Sequence, residues 1–207
     1  RVVVSMREGV GGTRDAIKLH QPLSSAIANG SIYTVNTGFV REFGLKSGRP
    51  LRNIPVPGVT LLNGIEVSAD GTIYASNTRP PERLYKISAE GEVSVLIDGA
   101  PLAIPNGVAI DGNGDVVVVN IGDNAVLTFS PNGELLGTEY AVEGGNDGVV
   151  ILEDGTKYVS SVRFGSVSRI LPGQEATLIA ESIPSAASMC YDSIQHQFVI
   201  PLHSNYA

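Results

Sequence analysis

The chain has 207 residues, 43% of them hydrophobic and 17% charged, with 24 Gly, 12 Pro and no Trp. Its formal net charge is -7 with no basic stripe, which excludes the electrostatic footprint of nucleic-acid binding or of docking to an anionic membrane. No apolar run approaches the ~20 residues that span a bilayer, and a lone cysteine, Cys190, excludes an intrachain disulfide.

Few charges with abundant Val, Ile and Gly indicate an all-β protein of short strands joined by tight turns. The acidic excess suits a cation site and serves ordinary solubility equally well. The first residue is Arg1 rather than Met, so something upstream is expected to have been removed or not supplied, a signal peptide among the candidates. A secreted or periplasmic location is accordingly favoured over the cytoplasm.

In chain order, Arg1-Val-Val-Val-Ser-Met6 reads as a strand, Gly9-Val-Gly-Gly12 as a flexible loop, and Ala16-Ile-Lys-Leu19 as a second short strand. Residues 22–36 read as a hairpin with a short turn. The clearest pattern follows. Residues 63–77, 106–120 and 147–161 align without a gap, and their starts lie 43 and 41 residues apart. Each opens on a polar residue and Gly (Asn63-Gly64, Asn106-Gly107, Asp147-Gly148) and runs through an apolar strand. A turn containing Asp or Asn with Gly then leads into a second strand. Such turns supply the positive φ that a tight hairpin needs. A second pair of strands follows, as in 83–87 and 93–97, so each unit holds four strands, the size of a propeller blade. A fifth hairpin, within 184–203, ends the chain after two strands.

A half-blade would leave a bare edge. The N-terminal strands 1–6 and 16–19 are expected to complete it and close the ring. The fold expected is therefore one β-propeller domain over 1–207, with five blades, six being the alternative. Cys190, in Met189-Cys190-Tyr191 of the last hairpin, is expected to be a buried thiol.

Equivalent residues of successive blades form rings about the propeller axis, so Asn63, Asn106 and Asp147 should converge. Two amide oxygens and a carboxylate are hard donors, suited to calcium or magnesium rather than zinc. The competing reading is that each side chain merely satisfies local backbone groups at the start of its strand. The ends of the second strands supply another polar ring, Asn36, Asn77, Asn120, Ser161 and His203. Arg79 and Arg163 follow closely and could hold an anionic group. Asn77, Asn120, Ser161, Arg79 and Arg163 are thus candidate substrate contacts. Asp147 and His203 are candidate general bases. His20 and His196 fall before the first hairpin and within a turn, where incidental placement is expected.

The segments Asn63-Gly-Ile-Glu-Val-Ser-Ala-Asp-Gly-Thr-Ile-Tyr-Ala-Ser-Asn77, Pro105-Asn-Gly-Val-Ala-Ile-Asp111 and Gly145-Asn-Asp-Gly-Val149 resemble the gluconolactonase/regucalcin (senescence marker protein) propellers. Cys190-Tyr-Asp and Val199-Ile-Pro-Leu-His203 look like the last blade of bacterial members, and the likeness covers roughly residues 20 to 205. It implies six blades and a divalent cation, commonly calcium, at one mouth of the channel. The implied ligands are one Glu, two Asn and an Asp that doubles as general base or substrate holder in lactone hydrolysis. The Asn positions match Asn63 and Asn106, and the Asp matches Asp147. The Glu has no counterpart near Leu23 or Ser24, nor near Ala187 or Ser188.

The activity expected is metal-dependent hydrolysis of a small lactone or related ester by a monomeric protein whose partner is a small-molecule substrate. The alternatives are a non-catalytic propeller that binds a ligand or partner, and a related enzyme running other chemistry such as cyclisation.

Overall fold

The computed structural model describes residues 22–201, and these form only strands, turns and loops. The strands expected at 1–6 and 16–19, the glycine cluster at 9–12, His20 and His203 lie outside the described residues.

The sheets follow chain order. The first contains β1 (Ser25–Ala28), β2 (Ser31–Asn36), β3 (Phe39–Gly44) and β4 (Pro50–Pro55). The second contains β5 (Leu62–Val67), β6 (Ile73–Asn77), β7 (Arg83–Ile87) and β8 (Val93–Asp98). The third runs through β9 (Pro105–Ile110), β10 (Val116–Asn120), β11 (Ala125–Phe129) and β12 (Leu135–Tyr140). The fourth holds β13 (Asn146–Ile151), β14 (Lys157–Ser161), β15 (Ser166–Ile170) and β16 (Thr177–Ala180). Each is an antiparallel meander. The last sheet has only β17 (Cys190–Asp192) and β18 (Gln197–Val199). Four complete four-stranded units and a two-stranded fifth therefore match the repeat read in the sequence.

The turns repeat as well. Ser68, Asp111 and Leu152 each donate an N–H to the carbonyl four residues on, and the Gly preceding each acceptor has φ 88, 86 or 83°. That left-handed conformation is open to Gly at no steric cost, which is why Asp70-Gly71, Gly114 and Asp154-Gly155 recur at fixed offsets.

The core lies between sheets, in three layers. Tyr33, Val35, Val40 and Ile54 of the first sheet pack on Ile65, Val67, Ile73 and Tyr85 of the second. Tyr74 and Leu84 pack on Val108, Val116, Val118 and Phe129 of the third. Val117, Val119 and Val126 pack on Val149, Val159 and Ile170 of the fourth. The run Val116–Val119 thus feeds two layers alternately, and all four valines are 0% exposed. An unbroken apolar run is what a strand covered on both faces requires, and each such burial is worth about 1.5–3 kcal/mol. Between the first two sheets Glu42 adds a polar latch. It accepts from Ser31 Oγ, Tyr33 Oη and Arg52 Nε, while Arg52 Nη1 donates to the Ala89 carbonyl of the neighbouring sheet.

Cys190 differs from expectation: it is exposed. In the last hairpin Tyr191 and Phe198 face the fourth sheet, where the Phe198 ring lies 4.5 Å from that of Tyr158. Alternation along the strand turns Cys190 and its cross-strand partner Val199 to the opposite face. No further sheet covers that face among the described residues, and Val199 is 50% exposed.

The innermost strands β1, β5, β9 and β13 adjoin one another in sequence order, and glycines set their spacing. A Cβ on Gly64 would stand 2.0 Å from the Asn106 carbonyl oxygen, and one on Gly107 would stand 2.6 Å from that of Asp147. Neither obstacle is a flexible side chain. Gly64→Ala is expected to lower stability by about 3 kcal/mol, at the upper end of overpacking costs, whereas Gly112→Ala, with open space at its Cβ, stays within about 0.5 kcal/mol. Urea midpoints of the two variants measure the contrast.

Candidate functional site

The register of the innermost hairpins slips at one place in each of three blades. Between β5 and β6 the pairs run from Leu62↔Asn77 to Ile65↔Ala75, so Asn63 and Gly64 together oppose Ser76. In the third sheet Asn106 and Gly107 oppose Val119 in the same way. In the fourth, Asp147 and Gly148 oppose Ser160. Each polar-Gly pair is therefore a β-bulge, a device that re-aims a side chain and recurs beside active sites. β5, β9 and β13 begin at this end of the channel and β6, β10 and β14 finish there, so the three bulges share one mouth.

The glycine makes each bulge compatible with its neighbour. Gly64 lies against the Asn106 backbone, Gly107 against Asp147, and Gly148 against Ser188 and Met189, where an added Cβ would be 2.8 Å from Ser188 Cα. Two buried serines tie the steps together. Ser76 Oγ accepts from Gly64 N at 2.8 Å and donates to the Asn106 carbonyl at 2.6 Å. Ser160 Oγ accepts from Gly148 N at 2.9 Å and donates to the Ala187 carbonyl at 2.7 Å.

The side chains then meet. Asn106 Nδ2 donates to Asp147 Oδ2 at 3.2 Å, and Ser188 Oγ donates to Asp147 Oδ1 at 3.2 Å. Asn106 is 2% exposed, and its Oδ1 is buried without a hydrogen-bond partner. Such an orphaned acceptor costs about 1–3 kcal/mol unless something fills it. Asn63, half-buried, occupies the matching bulge of the adjacent strand. The set is an unpartnered amide oxygen, a second amide and a carboxylate, which fits a hard cation such as calcium in donor chemistry. No cluster of three or more His, Cys, Asp or Glu side chains forms among the described residues, so a cation here would depend on the amide oxygens.

The second ring is committed in part to its own loops. Asn77 is 0% exposed, and its Oδ1 accepts from the N–H groups of Thr60 and Leu61 at 2.9 and 2.7 Å. Its Nδ2 donates to the carbonyls of Arg79 and Pro81. Asn120, also 0% exposed, donates Nδ2 to the Pro101 carbonyl. Ser161 Oγ donates to the Gly144 carbonyl at 2.6 Å and accepts from Phe164 N. Asn77 and Ser161 hold the loops of the mouth, because the chain must reverse there and its backbone groups need partners, while Asn120 Oδ1, like that of Asn106, is buried without a hydrogen-bond partner. Arg79 and Arg163 are exposed. The Arg163 backbone lies over Gly145, two residues before Asp147, where an added Cβ would be 2.5 Å from Arg163 Cβ.

Ser188 and Glu66 join the picture without a local sequence signal. Ser188 reaches Asp147 from 41 residues away. Glu66, three residues beyond Asn63, is half-buried; burial pushes its carboxyl pKa up, and the Val67 N–H bonded to it offsets this only in part.

No family model and no curated protein matches this chain. Among solved structures, a streptogramin B lyase superposes with a TM-score of 0.74 at 14% identity over 90% of this chain and 64% of that one. The match shows the fold. The chain is a β-propeller. The virginiamycin B lyase of Staphylococcus aureus gives 0.71 at 13% identity, covering 87% and 63% of the two chains. A gluconolactonase of Xanthomonas campestris gives 0.64 at 16%, covering 83% and 65%. The resemblance read in the repeats thus extends to the architecture. The propeller spans less than two thirds of the length of the lyases it resembles.

The Glu66 carboxyl carries a sign that can be checked. Its folded pKa lies above the ordinary carboxylate value, so ionisation is disfavoured in the fold and stability falls as pH rises from the unfolded value through the folded one. Glu66→Gln is therefore expected to raise Tm at pH 8, with the gain vanishing below about pH 4. Melting curves across that range read it directly.

Proposed function

We propose that this propeller is a divalent-cation-dependent hydrolase of small cyclic esters, working at the mouth formed by the three bulges. The observation that carries the reading is the Asn106–Asp147 pair: a carboxylate bracketed by two donors beside a buried amide oxygen that has no partner in the protein. Gluconolactonases share the fold at low identity, in keeping with ring-ester chemistry at this mouth.

The Asn106 amide and the Ser188 hydroxyl orient the Asp147 carboxylate toward a water at the channel mouth. Asp147 accepts a proton from that water as its oxygen adds to the ester carbonyl. The acyl–oxygen bond then breaks, and the ring oxygen takes the proton, giving a hydroxy acid. A bound calcium ion, held through Asn63, Asn106 and Asp147, would polarise the ester carbonyl and stabilise charge on its oxygen. The exposed guanidinium groups of Arg79 and Arg163 suit the carboxylate product. Substrate and product are small molecules, and the site needs no second protein chain.

A second reading, a propeller that binds a ligand without turning it over, draws on the single carboxylate and on the commitment of Asn77 and Ser161 to their loops. Calorimetry of EDTA-treated protein with calcium separates the two, run beside Asp147→Ala. Saturable heat that the variant loses is expected. Absent heat with an unchanged Tm in calcium would retire the hydrolase reading. With a lactone substrate in hand, Asp147→Asn should cut kcat/KM by at least about 100-fold, the lower bound for removing a general base; a loss under tenfold contradicts that role.

A further inference from the structure

The loop entering β9 adopts a backbone conformation that its sequence resists. Ile104 has φ 53°, and of the five non-Gly residues with positive φ among the described residues it alone is β-branched. The others are Asn29, Ser182, Ser185 and His196. Left-handed backbone is poorly tolerated by β-branched side chains. At the same place in the next blade, two residues before the bulge, the chain has Gly145 with φ 76°.

The loop imposes the conformation. Ile121 N donates to the Ile104 carbonyl at 3.0 Å and Gly122 N to that of Ala103 at 2.9 Å, while an added Cβ on Gly122 would sit 2.8 Å from the Ala103 oxygen. The side chain gains little from burial in return, because Ile104 is 39% exposed. An isoleucine that is strained in its backbone and open to solvent contributes little to folding. It stands two residues before Asn106, at the same mouth as Phe164, which follows β14 and is 55% exposed.

We propose that Ile104 is a specificity-determining residue that presents an apolar contact at the channel mouth and selects ring esters bearing an apolar substituent. This rests on the hydrolase reading and extends it to a substrate class. The ring ester itself is handled at Asp147 and Asn106, and the substituent lies over Ile104. The backbone strain at a functional position follows a known pattern in which local stability is given up for preorganisation.

The test compares wild type with Ile104→Gly, which relaxes the backbone and removes the side chain, and Ile104→Asn, which tolerates left-handed φ but is polar. Probes are γ-butyrolactone, with no substituent, and γ-nonalactone, with a pentyl chain. Both variants should melt above wild type by a few degrees. Their preference for the pentyl lactone in kcat/KM should drop about tenfold, with butyrolactone turnover changed less than twofold. An unchanged preference, or a lower Tm in both variants, overturns the proposal. If wild type hydrolyses neither lactone, the hydrolase reading fails by itself. Saturation-transfer NMR then decides for Ile104: transfer to the pentyl protons in wild type and its loss in both variants supports the contact, and transfer retained in the variants or absent from wild type refutes it.

Discussion

Backbone crowding at the propeller axis is the constraint on which the rest depends. Four-stranded sheets arranged about a channel bring their first strands closest together, and here the carbonyl of one innermost strand passes where the Cβ of its neighbour would be. The 2.0 Å approach of the Asn106 oxygen to the Cβ position of Gly64 leaves room for hydrogen alone. Gly107 repeats the arrangement against the Asp147 carbonyl, and Gly148 meets the Ser188–Met189 backbone. Accommodating such a glycine inserts an extra residue into the innermost strand, and the ladder absorbs it as a bulge.

The bulge converts a packing requirement into a site. The residue before each glycine is swung out of the alternation that would bury it in a core layer, and a polar side chain can stand there. Successive blades then deliver Asn63, Asn106 and Asp147 to one mouth, with Ser188 arriving from the start of the last hairpin. The valine layers below hold the hairpins rigid, while Ser76 and Ser160 bind the first and third bulges to the next blade by hydrogen bonds that never reach solvent. Stability and function are therefore separable along one strand: glycine and serine set the spacing, and the polar residue is available for chemistry.

Much of this was legible in the sequence because the repeat is written in residues with strong local meaning. Asn-Gly and Asp-Gly at fixed offsets located the hairpins and the ring positions, whereas the bulges at those positions and the covering of Val116–Val119 on both faces emerge only from the strand register and packing. What was not legible lies beyond local pattern. A polar residue ending a strand reads the same whether it caps a loop or greets a ligand, and Asn77 and Ser161 are bonded to their loops while Asn120 keeps an unpartnered amide oxygen. Cys190 sits in an apolar stretch, yet strand alternation turns it to a face that no described sheet covers. The Ser188–Asp147 bond joins residues 41 apart, and the positive φ of Ile104 is imposed by its neighbours rather than encoded in its own preference.

The central claim is that the bulges bring Asn63, Asn106 and Asp147 together as a hard-cation site. The most direct test is a crystal structure of the intact protein grown with manganese, using the anomalous signal of the ion to locate it. The account predicts a peak at the channel mouth within about 2.0–2.6 Å of Asn106 Oδ1 and an Asp147 carboxylate oxygen, distances proper to hard cations on oxygen ligands. A mouth with no anomalous peak, the Asn106–Asp147 and Ser188–Asp147 hydrogen bonds still in place, would contradict it.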